Sequence, residues 1–309
     1  MKNFLKGTLF IAIFIALFYF FSYLCLPKEN TRKFGFYKTS SFEILSEKDD
    51  TIDAIVLGDS LVYASVIPME IYGEYGYTVY DCAGAAEIFR DAYEYFKVAA
   101  ESQHPKLLII EGNIFFRDER KRPKDERAKM ILSNYIPLIV HHDNWKKLLL
   151  SHKENINVDK GYIYNKRIEP SKNFNYMEEL DKKTNILDKN VEFFEKLLEV
   201  AKEHNVKIVI MGLPSQKSWY QSKHVLMQEF ADKYGIEFID LNYEESLNID
   251  WTVDTKDEGS HLNYTGAKKV SKYIGNYLHE MGIFEDHRND PKYADWNTAY
   301  EIHNKEKNK

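Results

Sequence analysis

The sequence predicts an α/β fold: one three-layer α/β/α domain around a mostly parallel five-stranded sheet, preceded by a single N-terminal transmembrane helix. Three observations predict it. Short apolar runs alternate with amphipathic stretches along most of the chain, the rhythm of strand–helix–strand units. The run Leu107-Leu108-Ile109-Ile110 is apolar without a break, as in a strand buried on both faces of a parallel sheet. Setting aside the apolar leader, about 280 of the 309 residues remain, which suits one domain with a sizeable core.

The elements follow in order. Gly7 to Leu26 carries no charge and is mostly Leu, Ile, Phe, Ala and Tyr, long enough for a helix to span a bilayer. Lys2 and Lys6 precede it and Lys28, Arg32 and Lys33 follow, so the charge bias alone does not orient it. No small-x-small cleavage site follows the run, and bulky Tyr23 and Leu24 before Cys25 disfavour lipoprotein processing. We read residues 1–27 as an uncleaved single-pass cell-membrane anchor with the remainder outside the cytoplasm, and residues 28–50 as a polar stalk. The main domain is expected over 51–284. Strands are predicted at Ile52–Leu57, Tyr77–Cys82, Lys106–Glu111, Val206–Leu213 and Ile236–Leu241. Helices are predicted from Ser60, over Ala86–Ser102, around Val191–Ala201, and over Val225–Tyr234 and Thr265–Met281, each with apolar residues at helical spacing where it is long enough to show a period. Residues 115–188 break the alternation and read as an insertion over the strand ends, where binding loops sit. Within it, the charged stretch from Arg117 to Lys129 reads as a solvated helix face, with a basic lip for an anionic polymer as the alternative. Residues 285–309 read as a polar tail, peripheral or disordered.

Composition narrows the function. The formal net charge is −6 with both signs interspersed, which argues against a nucleic-acid partner. Only Cys25 and Cys82 are present, so no disulfide framework is available; an exported chain so poor in cysteine fits a bacterial surface. His141-His142-Asp143 lacks further ligands at zinc spacing, so no metal is expected there. Trp145 and Trp219 read as core or pocket-wall residues.

The chemistry concentrates at two motifs. Gly58-Asp59-Ser60-Leu61 directly follows the first predicted strand, at the carboxyl end where open α/β sheets bind ligands. Asp257-Glu258-Gly259-Ser260-His261 lies some two hundred residues later, just before the last predicted helix of the main domain. A serine ahead of a helix often serves only as its cap. Paired with a distant acid and histidine it is the material of acyl transfer: imidazole takes the hydroxyl proton and a carboxylate fixes the imidazole tautomer. The Gly-x-Ser-x-Gly elbow of the α/β-hydrolases is absent.

These motifs resemble the SGNH (GDSL) hydrolase superfamily, over roughly residues 50–280. Ser60 matches the first block, Gly84 in Asp81-Cys82-Ala83-Gly84 the second, Asn113 in Glu111-Gly112-Asn113 the third and His261 the fourth. The resemblance implies Ser60 as nucleophile, His261 as general base, and an oxyanion hole built from the Ser60 and Gly84 N–H groups and the Asn113 amide. Much of the family places an aspartate three residues before the histidine. That position holds Glu258, while Asp257 stands four before; Asp257 is preferred as the usual residue type, Glu258 is the alternative, and Asp254 a remote third. Asp59 is expected to brace the turn. No cofactor is implied. Anchored relatives of this type suggest a serine esterase or O-acyltransferase acting on acyl, chiefly acetyl, esters of an extracytoplasmic glycan or cell-wall polymer, beside a membrane-bound acyltransferase partner. A catalytically silent scaffold of a surface-polymer complex and a membrane-proximal lipase are the alternatives.

Overall fold

The computed structural model describes residues 2–24, 43–44, 47–121, 138, 157–172, 175–178 and 183–307. The helix α1 (Lys2–Leu24) stands first; its stretch Asn3–Leu24 is the one helix among the described residues long and apolar enough to cross a membrane. Five parallel strands follow: β1 (Ala54–Gly58), β2 (Val79–Ala83), β3 (Leu107–Glu111), β4 (Lys207–Gly212) and β5 (Glu237–Asp240). Their order, β2-β1-β3-β4-β5, is the doubly wound order of flavodoxin-like folds, with its switch point between β1 and β3. The expected α/β class and five-stranded sheet are present, with boundaries within two residues of the predicted ones.

Side chains alternate across the sheet and build two cores. Ile55, Leu57, Leu108, Ile110 and Ile210 face one layer, formed by α4 (Phe89–Gln103), α5 (Asp188–Glu203) and α6 (Gln221–Tyr234). Ala54, Val56, Leu107, Ile109, Val209 and Met211 face the other, formed by α2 (Ser60–Ser65), α3 (Pro68–Tyr75) and α7 (Tyr264–Met281). Val270, Ile274 and Leu278 of α7 are fully buried at helical spacing, as the sequence pattern required. Burying several such side chains is worth about 1.5–3 kcal/mol each.

Two parts differ from expectation. The helix α3 has no counterpart in the sequence reading, although Pro68 stands at its first position and Gly76 closes it in the left-handed conformation. The tail is an ordered element. Residues 294–307 form α8 (Ala294–Lys307), which packs against α3 and buries Trp296 and Ala299 completely or nearly so. Ahead of it, His287 Nε2 meets Asp53 Oδ2 at 2.8 Å, and the His287 ring stacks on Tyr293. Asp53 directly precedes β1 and also accepts the Thr78 hydroxyl, so the tail is fastened to the amino end of the sheet.

The described part of the insertion crosses to the opposite end. Lys160 O accepts the Asp81 N–H, and Ile163 N–H donates to Tyr63 O. Farther on, Tyr264 N–H donates to Asn165 O, Glu169 N–H to Thr255 O, and Glu258 N–H to Glu169 O. The insertion therefore braces the loop between Trp251 and α7. His141, His142, Asp143 and Trp145 lie outside the described residues.

Candidate active site

The parallel register gathers the site. Gly58 pairs with Ala83 in β2, and Leu57 with Ile110 in β3. Gly84 directly follows β2 and Asn113 stands two residues past β3, so both turns lie at the same carboxyl edge as Ser60. Gly58 is dictated by close approach: a Cβ there would lie 2.6 Å from Glu111 Cβ and 2.7 Å from Val62 Cγ2. The chain then enters α2 at Asp59, whose carboxylate accepts the Leu61 N–H at 2.9 Å as the cap. Ser60 is thus the first helical residue and not the cap, and a first-turn N–H has no intrahelical acceptor.

On the other side, Asn263 caps α7 and delivers the loop before it. His261 Nε2 lies 2.8 Å from Ser60 Oγ, and His261 Nδ1 lies 2.6 Å from Asp257 Oδ2. The second Asp257 oxygen accepts the His261 backbone N–H at 2.7 Å. One carboxylate therefore fixes both the ring and the main chain of the histidine. Burial opposes ionisation of Asp257, but the hydrogen bonds from His261 outweigh it and hold the carboxyl below its ordinary range. Glu258 turns away to Lys217 at 3.1 Å. The backbone explains the choice: Glu258 has φ +57° and Gly259 φ +89°, a left-handed pair that reverses the chain. Asp254 is buried against Lys269 at 2.6 Å and takes no part.

Asn113 sits in a short 3₁₀ turn, Gly112–Phe116, and is almost wholly buried. Its Nδ2 donates to Asp59 Oδ2 at 2.8 Å, and its Oδ1 accepts from Lys223 Nζ at 2.6 Å. Asp59, fully buried, also receives Arg117 Nε at 2.6 Å and a second guanidinium nitrogen of the same residue. Asp59 braces the turn as expected, but its reach extends to the Asn113 amide. Arg117 departs from expectation. It belongs to this buried network and not to a solvated charged face. Glu111 accepts the Asn113 backbone N–H at 2.6 Å, and burial, then the nearby Asp59 charge, raises its carboxyl well above the ordinary range. Tyr63 stands one turn after Ser60 on α2, and burial raises its phenol. Burial also lowers the Lys256 ammonium beside Asp257.

Thus Ser60, His261 and Asp257 form a continuous hydrogen-bonded chain, with Asn113 on the neighbouring turn. The chain carries the residues matched to the four SGNH blocks, Ser60, Gly84, Asn113 and His261, at the carboxyl edge of the sheet. Among solved structures it is similar to a GDSL-like lipase from Bacteroides thetaiotaomicron, at 12% identity and a TM-score of 0.39, covering 74% of this chain and 88% of that one. It is also similar to the family 3 carbohydrate esterase of Clostridium thermocellum, at 10% identity and a TM-score of 0.40, covering 74% and 96%. A third likeness is to the lipase/acylhydrolase of Enterococcus faecalis, at 11% identity and a TM-score of 0.30, covering 74% and 96%. No family model matches the sequence, and no curated protein does.

Beyond the four SGNH blocks, Arg117, Lys223, Glu111 and Tyr63 complete the site, and sequence reasoning assigned none of them to it. Trp219 is a core residue whose Nε1 donates to Asp240 Oδ2 at 2.8 Å. Among the described residues no group of three or more His, Cys, Asp or Glu side chains could hold a metal ion.

Proposed function

We propose that the protein is a serine esterase or O-acyltransferase that works through an acyl-serine intermediate at Ser60. The supporting observation is the chain of contacts from Asp257 through His261 to Ser60 Oγ. His261 Nε2 accepts the Ser60 proton as Oγ attacks the ester carbonyl. The tetrahedral oxyanion forms between the Ser60 and Gly84 N–H groups and the Asn113 amide. His261 then returns the proton to the departing alcohol, leaving the acyl group on Ser60. Water or a sugar hydroxyl, deprotonated by the same imidazole, attacks in turn and releases the acid or the new ester. Asp257 keeps the imidazole in the tautomer that presents a bare Nε2 and stabilises the imidazolium that forms.

For the substrate, we propose acyl esters, chiefly acetyl, on an extracytoplasmic glycan or cell-wall polymer, with a membrane-bound acyltransferase as partner. The apolar helix Asn3–Leu24 supports a single-pass membrane location. The silent-scaffold alternative draws on the displaced acid; the contact of Asp257 with His261 favours the enzyme reading over it. The lipase alternative predicts turnover rising with acyl-chain length, whereas the glycan reading predicts a preference for acetyl.

The test is acetyl-ester turnover and fluorophosphonate labelling of the full chain in detergent, beside Ser60→Ala. Both signals should be present in wild type and vanish in the variant. A folded wild type that neither labels nor turns over, alone or with its membrane partner, defeats the proposal.

A further inference from the structure

Lys223 sits on the first turn of α6, two strands away from Ser60, and is only 8% exposed. Its ammonium is 2.6 Å from Asn113 Oδ1 and 2.6 Å from Ser218 O, with the rings of Phe116 and Tyr220 at 5.0 and 5.1 Å. A buried cation is costly unless it is paired and hydrogen-bonded. One of its contacts here is with an amide oxygen, and that amide belongs to the oxyanion-hole candidate.

The chemistry of the neighbours fixes how the amide is turned. An ammonium only donates hydrogen bonds, and an ionised carboxylate only accepts them. Lys223 on one side and Asp59 on the other therefore leave one orientation: Oδ1 toward Lys223 and Nδ2 toward Asp59. One Nδ2 proton goes to Asp59, leaving the second for a developing oxyanion. Asp59 is itself fixed by Leu61 N–H and Arg117, so neither side of the clamp can swing freely. A cation on an amide oxygen also draws electron density from the nitrogen and strengthens its N–H as a donor. Glu111, which holds the Asn113 backbone N–H, is pushed toward its neutral form by burial.

We propose that Lys223 is a positioning residue of the oxyanion hole, orienting and polarising the Asn113 amide from behind. This rests on the serine-ester reading above. Removing it should cost turnover through Asn113 and only through Asn113.

A double-mutant cycle on the full chain in detergent tests this, with p-nitrophenyl acetate as substrate. Lys223→Met is expected to lower kcat by about 10²-fold with little change in KM, approaching the loss from deleting an oxyanion donor. Added to Asn113→Ala, it should cost less than about threefold more, because the two residues act as one unit. Lys223→Gln, which keeps a donor without the charge, should fall between and serves where the Met variant does not fold. Losses that multiply in the double variant overturn the proposal. Independently of turnover, asparagine-selective ¹⁵N labelling reads the Asn113 side-chain NH₂ signal, identified by its loss in Asn113→Ala. A shifted or doubled signal in Lys223→Met supports the proposal, and an unchanged one overturns it. If wild-type turnover and Ser60 labelling are absent, the serine-ester reading fails, and the same NH₂ signal still decides whether Lys223 holds the amide.

Discussion

One histidine–aspartate pair lies toward each end of β1. At the carboxyl end Asp257 holds His261 through Nδ1, and Nε2 faces Ser60 Oγ. At the amino end Asp53 takes His287 through Nε2, the imidazole lies flat on Tyr293 at 3.9 Å, and Asp53 also accepts the Thr78 hydroxyl. The same two residue types reach a serine hydroxyl in one place, where we propose a proton relay, and make a clamp in the other. What differs is the free nitrogen. At the carboxyl end it meets the Ser60 hydroxyl; at the amino end the ring is stacked on an aromatic face, and among the described residues no hydroxyl meets that nitrogen. A histidine beside an aspartate is therefore not evidence of catalysis until the second nitrogen has been accounted for.

Substitutions at the two pairs should separate cleanly. The largest effect is expected from His261→Ala or Asp257→Asn, each lowering ester turnover by about 10⁴-fold while the melting temperature stays close to wild type. A comparable loss of turnover in His287→Ala would erase the distinction. Next comes Asn113→Ala, expected to lower kcat by about 10²–10³-fold. Smaller and of another kind, His287→Ala should leave fluorophosphonate labelling of Ser60 intact and cost about 1–3 kcal/mol in denaturant unfolding, by removing one partner of the buried Asp53 carboxylate. The smallest effects are in pH. The Asp257 carboxyl is held below its ordinary range, so its contact with His261 adds stability that is complete above about pH 4 and is lost as pH falls through the depressed value. The stability gap between wild type and Asp257→Asn should therefore close on acidification. Glu111 has the opposite sign. Its raised carboxyl favours folding at low pH and loses that advantage as pH rises. Glu111→Gln keeps the acceptor for the Asn113 N–H, and its melting temperature should gain on wild type between pH 5 and pH 8.

Much of the fold was legible because continuous apolar runs and helical spacing directly encode burial. Ser60 and His261 were legible because both sit in local motifs beside an element boundary. The choice between Asp257 and Glu258 was not, since either carboxylate can reach an imidazole; the left-handed backbone at Glu258 decides it, and Gly259 is its faint signal. Lys223 was invisible for a different reason. A single lysine on an amphipathic helix looks like any solvated lysine until the sheet order brings β4 beside β3 and sets the helix after β4 against the turn that follows β3. Arg117 was hidden among neighbouring charges in the same way. The helix α8 escaped because Asn, Lys and Glu dilute its stripe, although Tyr293, Trp296 and His303 are all buried.

The bracing of the His261 loop by the insertion bears on how the protein matures. Its partners Asn165, Glu169 and Ser171 lie about a hundred residues upstream, and Ser60 farther still. Contacts so distant along the chain form late, because loop-closure entropy must be overcome before they contribute. The β3–β4 pairing spans a similar separation, from Leu107 to Lys207, and the imidazole needs the insertion's contacts in addition to it. Appearance of a reactive Ser60 during refolding should accordingly lag behind recovery of helical circular dichroism, making the reactive serine a marker for the last step of maturation.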